Sequence, residues 1–392
     1  MGSPRAATVI AMTAAAGLLL AGCSSGDGTS LSWPSASGTA SGPAGSAAPS
    51  SSATAKEPPA PAKGTATVSG TVATGLDTPW GVGLLPGGDL LVASRDSGRI
   101  TRVAAGTGKK TVLGAVPGVS SGGEGGLLGL ALSPELATDH LVYAYFTTES
   151  DNRIVRMLYD PAKPAGEQLG APDTILRGIP HGSIHNGGRI AFGPDGMLYA
   201  GTGESGERGL AQDTRSLGGK ILRMTPDGEP AQGNPFPGSL VYSYGHRNVQ
   251  GLAWDAQGRL WAAEFGQDTW DELNLVQPGK NYGWPVVEGM GNRSGYVDPV
   301  AQWHTDDASP SGIAYAAGSI WMASLKGARL WRIPLDGTKA AAAPQPFLTS
   351  AYGRLRTVVT DEDGTLLLTT SNTDGRGKPR KGDDRILRLK VS

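Results

Sequence analysis

The feature that most constrains the fold is a hairpin pattern that recurs along the chain. Residues 185–204 and 245–266 each read as an apolar strand, a two-residue turn that contains glycine, and a second alternating apolar strand. Six such units can be marked, at 84–103, 130–147, 190–204, 252–266, 313–333 and 358–370. Several are followed by a third short strand, and no helical periodicity stands out. Units with three or four strands each, roughly 45–60 residues apart, are typical of propeller blades.

These units predict an all-β fold, a six-bladed β-propeller of antiparallel four-stranded blades over residues 66–392. A β-sandwich and a seven-bladed ring stay open as alternatives. In a propeller the innermost strand of each blade begins at one face, so the residues just before those strands surround the central channel. The residues at these positions are Trp80, Glu124, His185, Arg247, Arg354 and Arg356. We therefore expect one site assembled from loops that are distant in sequence.

The N-terminal 65 residues differ in composition from the rest. Residues 1–22 carry Arg5, an apolar run and Leu-Ala-Gly directly before Cys23, which resembles a bacterial lipoprotein signal cleaved before a lipidated cysteine. An ordinary secretory signal is the alternative, and the run is shorter than the ~20 apolar residues of a membrane-spanning helix. Residues 23–65, rich in Ser, Ala, Gly and Pro, predict a flexible tether. The expected location is the cell surface or the outer face of the bacterial cytoplasmic membrane, held by the lipid anchor alone.

The charge balance excludes several classes of partner. Charged residues make up 18% of the chain and the formal net charge is −1, so the chain as a whole does not attract nucleic acid. One cysteine and five histidines exclude a disulfide framework and a cysteine-rich metal site. Any attraction for an anionic ligand must therefore come from a local cluster of cations.

His185 is the best candidate for a general base. It lies eleven residues before the turn glycine Gly196, and Arg247 lies eleven residues before Gly258. Glu204 follows Gly196 by eight residues, at the same open end of the hairpin. A neutral imidazole accepts a hydroxyl proton near neutral pH, and a carboxylate on its second nitrogen stabilises the imidazolium. The alternative is a loop histidine bonded to backbone.

Several cations occupy the same end of the predicted blades. They are Arg247, Lys326, Arg354 and Arg356. Converging cations on a nearly neutral protein predict an anionic ligand with several acceptor groups. The alternative for each of them is a solvated surface charge.

The loop at Gly266 and Gln267 directly follows a predicted strand. Backbone carbonyls in such a loop can turn inward, and hard cations such as calcium favour oxygen ligands. No EF-hand spacing is present, so the loop by itself is only a weak indication of a calcium site.

Five segments together carry a family resemblance. They are EGGLLGLALSP (124–134), HNGGRIAFGPDG (185–196), YGHRNVQGLAW (244–254), DELNLVQPGKNYGWP (271–285) and ASLKGARLWRI (323–333). Over nearly all of 72–392 the chain resembles the glucose/sorbosone dehydrogenase family. These are soluble quinoprotein aldose dehydrogenases that use pyrroloquinoline quinone (PQQ) and calcium on a six-bladed propeller.

The resemblance implies catalytic roles for His185, Glu204 and Arg247, and a cofactor contact for Asn248. The catalytic base falls on His185 and its acidic partner on Glu204, while Arg247 and Asn248 face the quinone oxygens. The implied mechanism is removal of the proton from the sugar C1 hydroxyl by His185 while hydride passes from C1 to the quinone, with Arg247 and calcium stabilising the developing charge. The product would be a lactone, and the electrons would pass on to an unidentified acceptor.

The resemblance also implies a cofactor site. The two carbonyls that bind calcium fall on Gly266 and Gln267, and the cations that hold the PQQ carboxylates fall on Lys326, Arg354 and Arg356. The aromatic residue that packs on the cofactor falls on Trp303.

Two departures from the family pattern bear on the substrate. The soluble glucose dehydrogenases have an Asp directly before the catalytic His, where this chain has Ile184, and a Gln near the substrate, where this chain has Glu124. Both positions are implied sugar contacts, so the pattern is nearer to that of broad-specificity aldose dehydrogenases than to a glucose enzyme. A non-enzymatic ligand-binding propeller and a calcium-dependent lactonase stay open as alternative functions.

Overall fold

The structure is a computed structural model, and it describes residues 58–392. Within them the chain forms strands β1 to β25 in six antiparallel sheets, one short helix, α1 (Leu136–Asp139), and one 3₁₀ turn, Arg208–Ala211. No helix in this range is long and apolar enough to cross a membrane. The predicted signal peptide, Cys23 and most of the predicted tether lie outside the described residues.

The first strand, β1 (Ala66–Ala73), belongs to the last blade, and the next three blades follow in chain order. Blade 1 consists of β2 (Pro79–Leu84), β3 (Leu90–Ser94), β4 (Arg99–Val103) and β5 (Lys110–Ala115). Blade 2 consists of β6 (Leu127–Leu132), β7 (Leu141–Thr147), β8 (Asn152–Leu158) and β9 (Asp173–Ile179). Blade 3 consists of β10 (Ile190–Phe192), β11 (Leu198–Gly201), β12 (Lys220–Met224) and β13 (Val241–Tyr244).

The remaining three blades complete the ring. Blade 4 consists of β14 (Val249–Trp254), β15 (Leu260–Glu264), β16 (Trp270–Leu275) and β17 (Ala301–His304). Blade 5 consists of β18 (Pro310–Ala316), β19 (Ser319–Ser324), β20 (Arg329–Asp336), β21 (Lys339–Ala340) and β22 (Gln345–Phe347), the last two both pairing with β20. Blade 6 consists of β23 (Leu355–Thr360), β24 (Leu366–Thr370), β25 (Ile386–Val391) and β1.

The two ends of the domain meet in blade 6. β1 pairs with β25 antiparallel, from Ala66 opposite Val391 to Ala73 opposite Ile386. The first strand of the domain is thus the outermost strand of the last blade, which closes the ring. The predicted six-bladed propeller is confirmed, and the fifth blade differs from the four-stranded pattern by one additional short strand.

The hydrophobic cores lie between adjacent blades, one at each of the six blade interfaces. Because each blade packs against a neighbour on both faces, its second strand is buried throughout, as in β15, β19 and β24. Trp261 and Trp321, on β15 and β19, are 0% exposed. Burial of one large apolar side chain contributes about 1.5–3 kcal/mol, so blade-to-blade packing dominates the stability of the ring.

Residues 58–65 lie against blade 5, although the sequence assigns them to the flexible tether. The Ala60 N–H donates to the Leu335 carbonyl at 2.8 Å, and the buried Arg332 donates through Nη2 to the Pro61 carbonyl at 2.9 Å. The Gly64 N–H donates to Gln345 Oε1 at 3.0 Å. The tether prediction is wrong for these residues, because a buried arginine and backbone hydrogen bonds fix the segment before β1 begins.

Bulges near the start of the innermost strands shape the end of the propeller where these strands begin, which we call the upper face. The pairing of β2, β6, β14, β18 and β23 with the next strand is interrupted two or three residues into each strand. Trp80, Gln250 and Arg356 lie within three of these interruptions. Since a bulge re-aims the side chains of the bulged strand, it frees these three from the normal alternation and directs them toward the channel.

Glycines in the same strands let the innermost strands approach each other closely. A Cβ at Gly251 would collide with the carbonyl oxygen of Ser311, and a Cβ at Gly312 would lie 2.9 Å from the Thr357 Cα. Each of these glycines faces the backbone of the next blade's innermost strand. These two glycines therefore have a structural role, because larger residues here would widen the channel.

Candidate active site at the upper face

A cavity of about 380 Å³ opens at the upper face, and its walls come from five of the six blades. Its charged lining consists of five basic and two acidic side chains: Arg95, Lys326, Arg354, Arg356, Arg376, Glu124 and Asp374. Trp80, Gln250 and Phe265 also line it. The predicted convergence of distant loops is therefore present, and the cavity carries an excess of positive charge.

His185 and Glu204, from blade 3, form a buried pair beside this cavity. The His185 ring Nδ1 is hydrogen-bonded to Glu204 Oε1, and Glu204 is 1% exposed. The backbone N–H of His185 donates to Glu124 Oε2 at 2.9 Å, and Glu124 is part of the cavity wall. With Nδ1 donating to the carboxylate, the neutral ring keeps Nε2 as its proton acceptor. The backbone of His185 adopts a φ of 53°, an uncommon conformation that the loop maintains.

Arg247 lies close to this pair and is largely buried. Its Nη2 donates to Gln267 Oε1 at 2.9 Å and its Nη1 to the Phe265 carbonyl at 3.3 Å. Its Nε is buried without a hydrogen-bond partner among the described residues. Its guanidinium also lies 5.4 Å from the centre of the Trp284 ring. Burial lowers the pKa of Arg247, with nearby carboxylates acting in the opposite direction, Glu204 first among them.

Asn248 joins blades 3 and 4 at the level of the histidine. Its Oδ1 accepts the Gly187 N–H at 2.9 Å, and its backbone bridges to Gly203. The Asn248 Oδ1 atom therefore already accepts a hydrogen bond, and this bond holds the loop that follows His185 in place. The structure brings Asn248 together with the predicted catalytic residues.

The cations of blade 6 share one buried carboxylate. Arg354 donates through Nε to Asp374 Oδ2 at 2.9 Å, and Arg356 Nη2 reaches the same oxygen at 3.5 Å. Arg356 also donates through Nη1 to Gln250 Oε1 at 3.0 Å, while its Nε is buried without a partner among the described residues. Burial lowers the pKa of Arg356 to about 9, although the Asp374 charge opposes this. One carboxylate therefore compensates the buried Arg356 and the partly exposed Arg354 only in part.

Two cations of the wall, Lys326 and Arg376, are more exposed. Lys326 pairs with Asp306, and its side chain is 58% exposed. Arg376 pairs with Glu124 at 3.2 Å across the mouth of the cavity, between the loops of blades 6 and 2. Lys326 and Glu124 thus line the cavity as the sequence predicts, but each already has a partner of opposite charge.

The loop at Gly266 and Gln267 is held by two carboxylates through its N–H groups. The Gly266 N–H donates to Asp271 Oδ1 at 2.9 Å, and the N–H groups of Gln267 and the three residues after it converge on Glu288 Oε1. Among the described residues no cluster of three or more His, Cys, Asp or Glu side chains could hold a metal ion. A cation at this loop would therefore rely on backbone carbonyl oxygens.

The structure places Trp303 outside the cavity, in contrast to the role implied for it. Trp303 lies on the outermost strand of blade 4, is 6% exposed, and packs in the core between blades 4 and 5 with its ring 5.7 Å from that of Trp331. The indole at the cavity is that of Trp80, which the sequence analysis placed at the channel but to which it gave no role.

A second His–Glu pair, not predicted from the sequence, positions Arg247. His246 Nδ1 is hydrogen-bonded to Glu264 Oε1 at 2.7 Å, and its Nε2 to Ser243 Oγ at 2.8 Å. Glu264 Oε2 accepts the Arg247 N–H at 2.8 Å. The pair repeats in blade 4 the arrangement of His185 and Glu204 in blade 3. The sequence did contain an indication of this pair, because His246 and Glu264 flank their hairpin at nearly the same sequence separation as His185 and Glu204.

Comparisons with known proteins agree with this geometry. The model of the glucose/sorbosone dehydrogenase family matches residues 76–387. The structure of the PQQ-bound form of an aldose sugar dehydrogenase from Streptomyces coelicolor is 73% identical, with a TM-score of 0.84, covering 85% of this chain and 100% of that one. The aldose sugar dehydrogenase YliI of Escherichia coli (strain K12) is 30% identical over 330 residues, 76% of this chain and 89% of that protein. The quinoprotein glucose dehydrogenase B of Acinetobacter calcoaceticus is 31% identical over 275 residues, 61% of this chain and 56% of that protein. From its fold, its cavity and this match over most of its length, the chain belongs to the glucose/sorbosone dehydrogenase family.

Proposed function

We propose that this chain oxidises an aldose sugar at C1 to the lactone, with PQQ as its cofactor and calcium beside it. The observation that carries the proposal is a buried His185–Glu204 pair that contacts Glu124, a wall residue of a cavity lined by an excess of cations. Similarity to a relative of 73% identity whose structure is PQQ-bound supports the cofactor, and similarity to aldose sugar dehydrogenases supports the substrate class.

The residues at the cavity fit PQQ, a planar tricarboxylate with an ortho-quinone. The Nε atoms of Arg247 and Arg356 are buried donors without partners among the described residues, and a buried donor of this kind is costly unless a ligand accepts from it. Lys326, Arg354 and Arg356 would hold the carboxylates, and Arg247 with Asn248 would face the quinone oxygens. The side chain of Trp80 lines the same cavity and is 2% exposed.

The proposed calcium ligands are the carbonyl oxygens of Gly266 and Gln267. The loop's N–H groups are taken by Asp271 and Glu288, so carboxylate charge stands close to the loop and favours a cation there. Neither carbonyl oxygen accepts a hydrogen bond from the residues described, so both are available as ligands.

The chemistry of the protein follows from the His–Glu geometry. When bound, PQQ supplies an ortho-quinone that accepts a hydride from the sugar. His185 takes the proton of the C1 hydroxyl at Nε2, because Nδ1 is bonded to Glu204. Glu204 stabilises the resulting imidazolium, and Arg247 stabilises negative charge that develops near its guanidinium. Loss of one proton and one hydride from C1 and its hydroxyl converts the cyclic aldose into the lactone.

A dye-linked oxidation assay on purified protein tests the proposal. We expect aldose oxidation only when both PQQ and calcium have been added, and loss of activity after chelation and dialysis. His140 is an exposed histidine at the turn between β6 and β7, so His140→Ala is a matched control for His185→Ala and should keep full activity. A protein that binds sugar but oxidises none of a panel of aldoses would instead support a non-enzymatic binding propeller.

We further propose that the mature chain is lipid-anchored at Cys23, on the cell surface or the outer face of the cytoplasmic membrane. Support comes from the Leu-Ala-Gly-Cys sequence at residues 20–23 and the apolar run before it. Mass spectrometry of the mature N-terminus checks this. A free cysteine thiol, or cleavage elsewhere, would contradict lipidation, and Cys23→Ser should release the protein from membranes.

A further inference from the structure

Arg189 is a buried cation to which none of the preceding roles applies. It lies directly before β10 and is 7% exposed. Its Nε donates to the Gln250 carbonyl at 2.8 Å and its Nη2 to Thr357 Oγ1 at 3.0 Å, both neutral acceptors. Within residues 58–392 it forms no ion pair with a carboxylate, so these residues leave its charge uncompensated.

The position of Arg189 is directly behind the cavity wall. Its guanidinium lies 4.3 Å from the centre of the Trp80 ring, and that of Arg356 lies 5.7 Å from the same ring. Trp80, Gln250 and Arg356 line the upper cavity, whereas Arg189 lines a separate, mostly apolar cavity of about 260 Å³ in the channel. Arg189 therefore contacts the back of the wall that a ligand in the upper cavity would touch.

The two guanidinium groups are each attracted to the Trp80 ring, but they repel each other, and a nearby anion would offset this repulsion. Arg356 pairs with Asp374, which also pairs with Arg354, whereas Arg189 has no carboxylate partner among the described residues. Burial, followed by repulsion from Arg356, lowers the pKa of Arg189 to about 9. In a low-dielectric interior the charge of Arg189 acts over the width of one aromatic ring without strong screening. An anion bound in the upper cavity would lie close to both Arg356 and Arg189 and would offset their charges.

We propose that Arg189 is a positioning residue that strengthens binding of the anionic cofactor from behind the cavity wall, by its charge and by holding Trp80 and Gln250, without touching the cofactor itself. The inference rests on the proposed function, because it takes the ligand to be PQQ. The proposal therefore makes separate predictions for cofactor affinity and for the stability of the protein without cofactor. Loss of the charge weakens cofactor binding, while the protein without cofactor loses a repulsion and keeps its stability.

The test measures both quantities on Arg189→Gln and Arg189→Lys. PQQ affinity is titrated through quenching of tryptophan fluorescence at low and high salt, and stability is measured by urea unfolding of the protein without PQQ. We expect Arg189→Gln to bind PQQ at least about ten-fold more weakly at low salt, with a smaller salt dependence and an unfolding midpoint equal to or above that of the parent protein. Arg189→Lys keeps the charge and should bind within about three-fold of the parent protein.

Arg332 provides the matched control, since it is a fully buried arginine on β20 that does not line the cavity and that donates to Pro61 and Gln345. Arg332→Gln should lower the unfolding midpoint and leave PQQ affinity unchanged. Unchanged PQQ affinity in Arg189→Gln would overturn the inference. If Arg189→Gln loses both affinity and stability, the lysine variant decides: restored affinity supports the charge, and a loss equal to that of glutamine overturns it. Absence of PQQ binding by the parent protein would refute the proposed function instead.

Discussion

Replacing Asp374 by Asn should destabilise the protein without cofactor and increase the stabilisation that PQQ brings. The Asp374 side chain is 1% exposed and is the carboxylate shared by Arg354 and Arg356. Asn has nearly the same shape, so the substitution removes charge rather than volume. Removing one partner of a buried ion pair costs about 3–5 kcal/mol, because the remaining charge is left buried and uncompensated. Because the side chains of Arg354, Arg356 and Asp374 are all at most 15% exposed, we expect the free energy of unfolding to fall by an amount within that range at pH 7.

The pH dependence of this loss follows from the pKa of Asp374. Burial alone would raise this pKa, but Arg354, Arg356 and the Arg376 N–H hold it below its usual value of 3.8. A carboxylate with a lowered pKa stabilises the folded state above its unfolded pKa, and this stabilisation is lost as pH falls through the folded value. The difference between the parent protein and Asp374→Asn should therefore be constant from pH 8 down to about 4 and shrink below that.

Urea unfolding at a series of pH values, with and without PQQ, measures these differences. Asp227→Asn is the matched control, because Asp227 pairs with Arg156 at the surface and its side chain is 69% exposed. Surface pairs of this kind contribute little, so the control should unfold close to the parent protein. Equal stability of Asp374→Asn and the parent protein at pH 7, or a loss that persists undiminished at pH 3, would refute the reasoning.

Three further changes separate catalytic, packing and titration effects. His185→Ala should lose about 10²–10⁴-fold in the rate of PQQ reduction in single-turnover experiments while still binding PQQ, and a normal rate on folded protein would exclude His185 as the base. Trp303→Ala should cost about 3–5 kcal/mol of unfolding free energy and leave PQQ affinity per folded molecule unchanged, because Trp303 is a core residue; weaker binding without destabilisation would place it at the cofactor after all. Burial, and then the Glu264 charge, raises the pKa of Glu272, so folding takes up a proton above pH 4.5 and the unfolding free energy falls as pH rises beyond that value. Glu272→Gln should flatten this fall in urea unfolding between pH 5 and 8, and an unchanged slope would show that Glu272 does not titrate there.

The blade count and the upper-face cluster could be read from the sequence because both depend on short-range patterns. A hairpin with glycine in its turn has a local sequence signature, and six such hairpins repeated along the chain predicted the ring of blades. The same phase placed His185 and Glu204 at one end of a hairpin, and the structure joins them by a hydrogen bond. The His246–Glu264 pair flanks the blade 4 hairpin at nearly the same separation, so the same signal could have found it. Asp374 had no such signal, because it lies in the irregular segment between β24 and β25, outside the hairpin pattern.

The sequence by itself determined that the chain forms antiparallel hairpins, how many there are, and which polar residues lie at their open ends, since alternation and turn chemistry are set within a dozen residues. The sequence also placed Trp80 at the channel, but only the tertiary structure showed that Trp303 does not reach the cavity. Trp80 lies in a bulge that turns it toward the channel, whereas Trp303, on an outermost strand, packs between blades. It also decided that Arg189 lies behind the Trp80 ring, and that residues 58–65 are fixed rather than flexible. These outcomes depend on bulges and on contacts between blades that are distant in sequence, and local residue patterns carry no record of either.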